Sequence, residues 1–392
     1  MRKETHYMKA KQIHNLCVTR YKIINLISIV DRRSPFMRKP FFIASLCCAI
    51  LFIGGCTNTS VSSVDKFEVR EEKKNLILQE EFTYNDGESD SSEFHRVEDD
   101  KAYISLERIS AYSTTSFFTN SIGYISLVDG SYHEIASFVD EDLRIWDYVA
   151  DDNVILASTF NGGFYEVIYK NGDETKQIER NQIDNEFQIP IFKQIGTDIF
   201  YLSYATNRED KGVWTALKKI DLKTGEDRVL TEHFASVKDV PDYTLEISEH
   251  HLTYGIEENG KNIICDWNAD EEKLIQIEVD FPVGKVVWSK GDEYITSDAK
   301  RSEAFLLDKN GEKKDRFNHL FNRVTSIGNG VFHTNDEDVV RYNEGVLTNY
   351  QYTNGKIKGF VFPKISNIDN QIYVYWADYK EHMIWIDKYI LG

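Results

Sequence analysis

Thr197 to Leu202 reads TDIFYL, and Leu217 to Glu226 reads LKKIDLKTGE. The first is a short apolar strand that follows a polar pair. The second is a strand running into Thr224-Gly225, a dipeptide suited to a tight hairpin because Gly takes positive φ angles at little cost. Strand, polar loop, strand, tight turn, strand is the order that results, and it returns along the chain. The apolar tetrad recurs as Ala102-Tyr103-Ile104-Ser105, Val154-Ile155-Leu156-Ala157, Ile199-Phe200-Tyr201-Leu202 and Leu252-Thr253-Tyr254-Gly255. Three more copies are Tyr294-Ile295-Thr296-Ser297, Val331-Phe332-His333-Thr334 and Ile372-Tyr373-Val374-Tyr375. Their starts lie 52, 45, 53, 42, 37 and 41 residues apart, a mean of 45.

A period of about 40–50 residues with strand content is that of propeller blades. Hairpin signals follow the tetrads at Asp129-Gly130, Asn171-Gly172, Thr224-Gly225, Asn268 to Asp270, Asn310-Gly311 and Asn343 to Gly345. No long helical periodicity appears from 66 to 392. These patterns predict an all-β, seven-bladed β-propeller, with six blades as the alternative because the 37-residue spacing is short. The last repeat offers Gly359 to Phe362, Ile372 to Trp376 and Met383 to Ile386, with no fourth strand before Gly392. Asn75 to Phe82 (NLILQEEF) precedes the first repeat and is expected to supply that missing outer strand, closing the ring.

Composition agrees with a globular chain. Of 392 residues, 41% are hydrophobic, 13% aromatic and 28% charged, which excludes both a disordered chain and a polytopic membrane protein. The 22 Tyr, 23 Phe and 6 Trp favour strands. A formal charge of −18 argues against a nucleic-acid partner, since neutralising phosphates takes clustered Lys and Arg.

The repeat carried by Thr197 to Leu202 and Ile220 to Glu226 resembles bacterial TolB-like and related extracytoplasmic β-propellers, over roughly 66–392. It lacks their repeated Ser-Pro-Asp-Gly turn, so the resemblance implies the fold and no TolB function. Trp146-Asp147 matches the WD dipeptide once, with no repeated copies and no paired Gly-His, and reads as coincidence.

Upstream, Met37-Arg38-Lys39-Pro40 is a short basic stretch, Phe41 to Ile53 is 13 residues without charge, and Gly54-Gly55-Cys56 follows. That apolar run is too short for a spanning helix and has the length of a signal-peptide core. The order resembles the lipobox of bacterial lipoproteins. The resemblance implies cleavage after Gly55, lipid attachment at Cys56, and a lipid-anchored domain on the extracytoplasmic face of the cell membrane. The expected organisation is 1–36 as an upstream extension from a start set too early, 37–55 as signal peptide, 56–65 as flexible tether and 66–392 as propeller. Loss of 1–55 removes ten basic and two acidic residues, leaving 36 Lys and Arg against 62 Asp and Glu, a net of −26. Such a charge disfavours adsorption to anionic lipid or anionic wall polymer, so attachment rests on the acyl chains. Cys17, Cys47 and Cys48 leave with the leader, and Cys265 remains as a small buried hydrophobe.

Chemistry is sparse. There is no Gly-x-Ser-x-Gly elbow, and Ser63 to Lys66 fits Ser-x-x-Lys only within the tether. His250-His251 has no third ligand at metal spacing, and His95 and His333 stand alone. Asp86 to Glu93 and Asn335 to Asp338 read as solvated loops rather than calcium sites. No catalytic residue, metal or cofactor is assigned. The aromatics of the last repeat include Tyr375, Trp376 and Tyr379, candidates for ligand contact if exposed at the mouth. Burial between blades is their more common fate. Specificity is expected in the loops Ser105 to Ile122 and Ser203 to Trp214. The reading is a membrane-anchored lipoprotein whose propeller binds a protein, peptide or glycan without catalysis. The alternatives are a hydrolase or lyase acting on extracellular polysaccharide and an accessory subunit of an envelope complex.

Overall fold

All seven apolar tetrads lie in strands, and the six whose side chains are described are covered on both faces, which is why they read as continuous runs instead of alternating ones. Ile199, Phe200, Tyr201 and Leu202 are 0, 2, 0 and 3% exposed. The computed structural model describes residues 70–392 apart from 86, 88, 110–116, 140, 152, 162, 184–188, 208–211, 236–244, 299–302, 318–323, 327–330, 335–337, 344, 353–363 and 369–370. Cys56, Gly55, the signal-peptide and tether segments, and Gly359 to Phe362 fall outside the described residues. No helix occurs among those described.

The chain folds into a β-propeller of six hydrogen-bonded sheets, five of four strands and one of eight. The eight-stranded sheet holds the sixth and seventh sequence repeats side by side. Counted as continuous sheets there are six blades; counted as four-stranded repeats there are seven.

The tetrads were expected to open each repeat. They form instead the second strand of each, at Lys101–Ile109, Val154–Asn161, Asp198–Asn207, His251–Glu258, Glu293–Asp298, Val331–Thr334 and Gln371–Asp378. Ahead of the first six runs a strand missed in the sequence, as short as Lys193–Ile195, Glu246–Ser248 and Val324–Ser326, and ahead of the seventh runs Lys364–Ile368, just past the expected Gly359 to Phe362. The first strands Ser91–Glu98 and Arg144–Asp151 are largely buried, and the fourth strands Tyr132–Ser137 and Glu174–Gln182 are largely exposed. First strands therefore face the axis and fourth strands form the rim.

Closure follows the expected route and goes further. Leu76 to Asn85 pairs antiparallel with Leu391 to Met383, completing the last repeat, with a bulge between Leu78 and Glu80. The same strand begins at Arg70, and Arg70 to Leu76 pairs parallel with Val346 to Tyr352 of the sixth repeat. One strand thus fuses two repeats into one sheet. The first repeat then packs on the last: Phe94 stacks on Tyr375 with ring centroids 5.2 Å apart, and the Ser92 and Tyr375 hydroxyls hydrogen-bond.

The two faces of the wheel differ. Connections from first to second and from third to fourth strands never exceed five residues, as in Asp99-Asp100 and Leu222 to Glu226. Connections on the other face reach ten residues after Ala235 and eleven after Tyr352. Thr224-Gly225 docks on the preceding repeat: the Tyr169 hydroxyl donates to Lys223 O at 3.1 Å, and Lys176 Nζ donates to Gly225 O at 3.0 Å.

Gly225 and Gly172 both hold positive φ, 67° and 56°. A Cβ on Gly225 would lie 2.7 Å from the Tyr169 ring, whereas one on Gly172 meets nothing within 4 Å. Gly172→Ala is expected to cost about 1 kcal/mol of backbone strain, and Gly225→Ala that plus loss of the docked turn, about 2–3 kcal/mol in all. Urea unfolding of the two variants checks this, and equal losses would mean that the turn contributes no docking energy.

Candidate functional site

The seam between the first two repeats is built by two β-bulges. His95 is the extra residue in Ser91–Glu98, between the pairs Phe94↔Ile104 and Arg96↔Tyr103. Trp146 is the extra residue in Arg144–Asp151, between Ile145↔Thr159 and Asp147↔Ser158. A bulge re-aims a side chain and often lies beside a functional site. His95 turns towards the second repeat, where its Nδ1 lies 3.1 Å from Asp147 Oδ1 and its Nε2 3.1 Å from Ser105 Oγ. Asp147 also accepts from Tyr148 N at 2.9 Å and from Phe192 N, leading into the third repeat, at 2.7 Å. One carboxylate therefore joins three repeats.

Ser105, His95 and Asp147 have the connectivity of a nucleophilic triad. Ser105 is 0% exposed, so its hydroxyl meets no substrate. The arrangement acts as a latch. Arg96 extends the seam inward, donating to Tyr148 O at 2.5 Å and lying 4.2 Å from the Tyr103 ring centroid.

Towards the face with the long connections, the seam changes character. Glu107 is 2% exposed, and its Oε1 has no hydrogen-bond partner among the described residues. Arg144 Nε lies 3.6 Å from that oxygen, with the Arg144 side chain 25% exposed. The guanidinium sits 4.9 Å from the Trp146 ring and 5.9 Å from the Phe117 ring. The bulge interrupts the strand's alternation at Trp146 and lets its ring meet the Arg144 guanidinium. Burial pushes the Glu107 carboxyl up from the ordinary carboxylate value, and Arg144 and the Ser91 hydroxyl offset only part of that. Across the same mouth, Lys193 Nζ meets Glu246 Oε2 at 3.3 Å, joining the third and fourth repeats.

The residues singled out in the sequence fall elsewhere. Tyr375 and Trp376 are 1 and 2% exposed and belong to the core, so they offer no surface at the mouth. Tyr379 is half-buried, its hydroxyl donating to Ser92 O at 3.3 Å across the closure. Cys265 is buried, and desolvation pushes its thiol up to about 12. His250 pairs with Asp270 on the surface at 2.7 Å, while His251 reaches the buried Asp266 at 2.9 Å. The expected loops are mostly strand: Ser105 to Ile122 narrows to 110–116, and Ser203 to Trp214 to 208–211. His95 is not alone, since its partner lies 52 residues on.

No protein family matches the sequence, and no curated protein matches it. Solved structures similar to it are propellers or carry one. A catalytically inactive variant of virginiamycin B lyase from Staphylococcus aureus, solved with quinupristin, is 13% identical with a TM-score of 0.45, covering 78% of this chain and 98% of that one. The acylaminoacyl peptidase of Pyrococcus horikoshii is 13% identical with a TM-score of 0.46, covering 73% of this chain and 49% of the enzyme. The Dos1 propeller is 9% identical with a TM-score of 0.44, covering 80% and 95%. No chemistry passes from these proteins to this chain.

Asp147→Ala strands several buried donors at once and is expected to lower stability by at least ~2 kcal/mol, with Asp147→Asn losing less. Thermal unfolding checks the order. Glu107 binds its proton more tightly folded than unfolded, so its contribution is complete in acid and is lost as pH rises through the raised native value. Glu107→Gln should therefore flatten the decline of stability as pH rises from the ordinary carboxylate range to neutrality. Urea midpoints measured across that range test it, and an unaltered slope would mean that burial does not govern this carboxyl.

Proposed function

We propose that this chain is a lipid-anchored lipoprotein on the extracytoplasmic face of the cell membrane, whose propeller binds a peptide, protein or glycan without catalysing a reaction. The observation that carries the binding half is the asymmetry of the wheel. By strand order, the connections of one face are five residues or fewer, and the longer ones all leave from the strand ends of the other face, where Arg144, Trp146 and Phe117 lie together. Variable connections on a rigid scaffold are where recognition is built. The deep burial of Ser105 supports binding over hydrolysis at this seam.

The anchoring half rests on Gly54-Gly55-Cys56 after the uncharged run from Phe41 to Ile53. A diacylated cysteine adds about 0.8 kcal/mol per buried methylene, enough with two chains for stable attachment. A net charge of −26 after loss of 1–55 keeps the domain off anionic surfaces and leaves the lipid to hold it.

Metabolic labelling with a clickable palmitate analogue is expected to mark the wild-type protein and to fail with Cys56→Ala. Label that persists in the variant sinks the anchor. For binding, envelope extract passed over the immobilised domain should yield a partner that Trp146→Ala loses and Lys309→Ala, on the opposite face, retains. Equal retention by both variants would remove the long-connection face from recognition.

A further inference from the structure

Arg144 is held without being used. Its neighbour Arg108 is engaged through both terminal nitrogens, donating to Thr119 O at 3.3 Å, Asn120 Oδ1 at 3.1 Å and Glu141 O at 3.0 Å, and Arg96 is turned into the interior, donating to Tyr148 O with its Nη2 buried. Arg144 has only Glu107 at 3.6 Å, beyond the length of a good charge-assisted hydrogen bond. Its guanidinium is nonetheless fixed in place by the bulged Trp146 below and Phe117 beside it. A stacked, partly exposed guanidinium with unspent donors has already lost much of the entropy that binding costs.

We propose that Arg144 anchors the terminal carboxylate of a peptide, with Trp146 and Phe117 flanking the last side chain. This rests on the reading of the long-connection face as the recognition surface, and narrows it to one ligand chemistry. A guanidinium takes a carboxylate through two parallel N–H···O bonds, a geometry that an ammonium does not match. Arginine and tryptophan together are the residues most often found at interface hot spots. The charge of the rest of the chain selects the remainder of the ligand. With 62 acidic residues against 36 basic ones after loss of 1–55, the surface repels a polyanion and attracts a neutral or basic segment. A basic peptide with a free C-terminus satisfies both demands: its body is drawn in by the acidic surface and its end is caught by Arg144 at the seam.

The test uses a pool of basic octapeptides with free C-terminal carboxylates, the same pool amidated, and tetragalacturonate as an anionic sugar. Binding to the soluble domain is followed by tryptophan fluorescence, and circular dichroism confirms that each variant is folded. The free-acid pool is expected to bind saturably, with at least tenfold weaker binding for the amidated pool and for Arg144→Gln, and an intermediate loss for Arg144→Lys. Equal binding of acid and amide pools, or an unaffected Arg144→Gln, overturns the proposal. Tetragalacturonate binding as well as the peptides, in an Arg144-dependent way, overturns the peptide assignment. A partner from envelope extract that Trp146→Ala loses and Arg144→Gln keeps leaves the recognition face standing and ends this inference alone.

Discussion

A wheel of sheets is stable only when its first and last members meet, and here one strand makes that junction. An open array would leave one repeat with an unpaired rim edge and two inter-blade faces in water, costs that fall on backbone groups and apolar area together. Arg70–Asn85 removes the edge by pairing on both sides, antiparallel with Met383–Leu391 and parallel with Val346–Tyr352. Leu76, at the change from one partner to the other, is fully buried. The apolar faces are then covered by the packing of Phe94, Val97 and Ile104 from the first repeat on Tyr373, Tyr375 and Ile386 from the last. Every other contact between repeats presupposes this closure, because each repeat is positioned by two neighbours.

Within the closed ring, neighbouring repeats are tied by polar bonds whose sequence separations equal the repeat interval. His95 and Asp147 are 52 residues apart, Asp147 and Phe192 are 45, and Lys193 and Glu246 are 53. The first three tetrad spacings are 52, 45 and 53. These bonds join corresponding positions at or beside successive first strands, so the first four repeats are held one to the next through the same register. A buried carboxylate that bonds in three directions fixes relative rotation more tightly than apolar packing does, since hydrogen bonds are directional.

That coincidence explains which parts of the molecule were legible in the sequence. Second strands, buried on both faces, give unbroken apolar runs, and these set the period, the closure and the fold class. First strands do not announce themselves: Lys193–Ile195 is three residues long, and His95 and Asp147 are polar residues made tolerable in the interior by partners one repeat away. A polar residue at a core position looks like loop until the repeats are aligned and its partner is found in the next one. The site was obscured for the same reason. Trp146-Asp147 was dismissed as a dipeptide match, yet it supplies both the latch and the ring beneath Arg144. Tyr375 and Trp376 stood out by density, and density of aromatics in a propeller marks the packing between blades.

The division of labour along one seam has a physical basis. Deep in the seam, Asp147 is satisfied by His95 and two backbone amides, and Ser105 is closed off, so that level contributes rigidity. At the end of the seam nearer the long connections, Glu107 keeps an oxygen without a hydrogen bond, and Arg144 lies 3.6 Å from it with its side chain 25% exposed. A polar pair left short of its full set of hydrogen bonds costs stability, and a purely structural seam would have closed that gap with a bidentate bridge. Holding the guanidinium on Trp146, 3.6 Å from its carboxylate, preserves a group that an incoming anion can engage without first breaking a strong bond. Rigid below and unspent above, the seam positions a recognition group while the ring around it holds still.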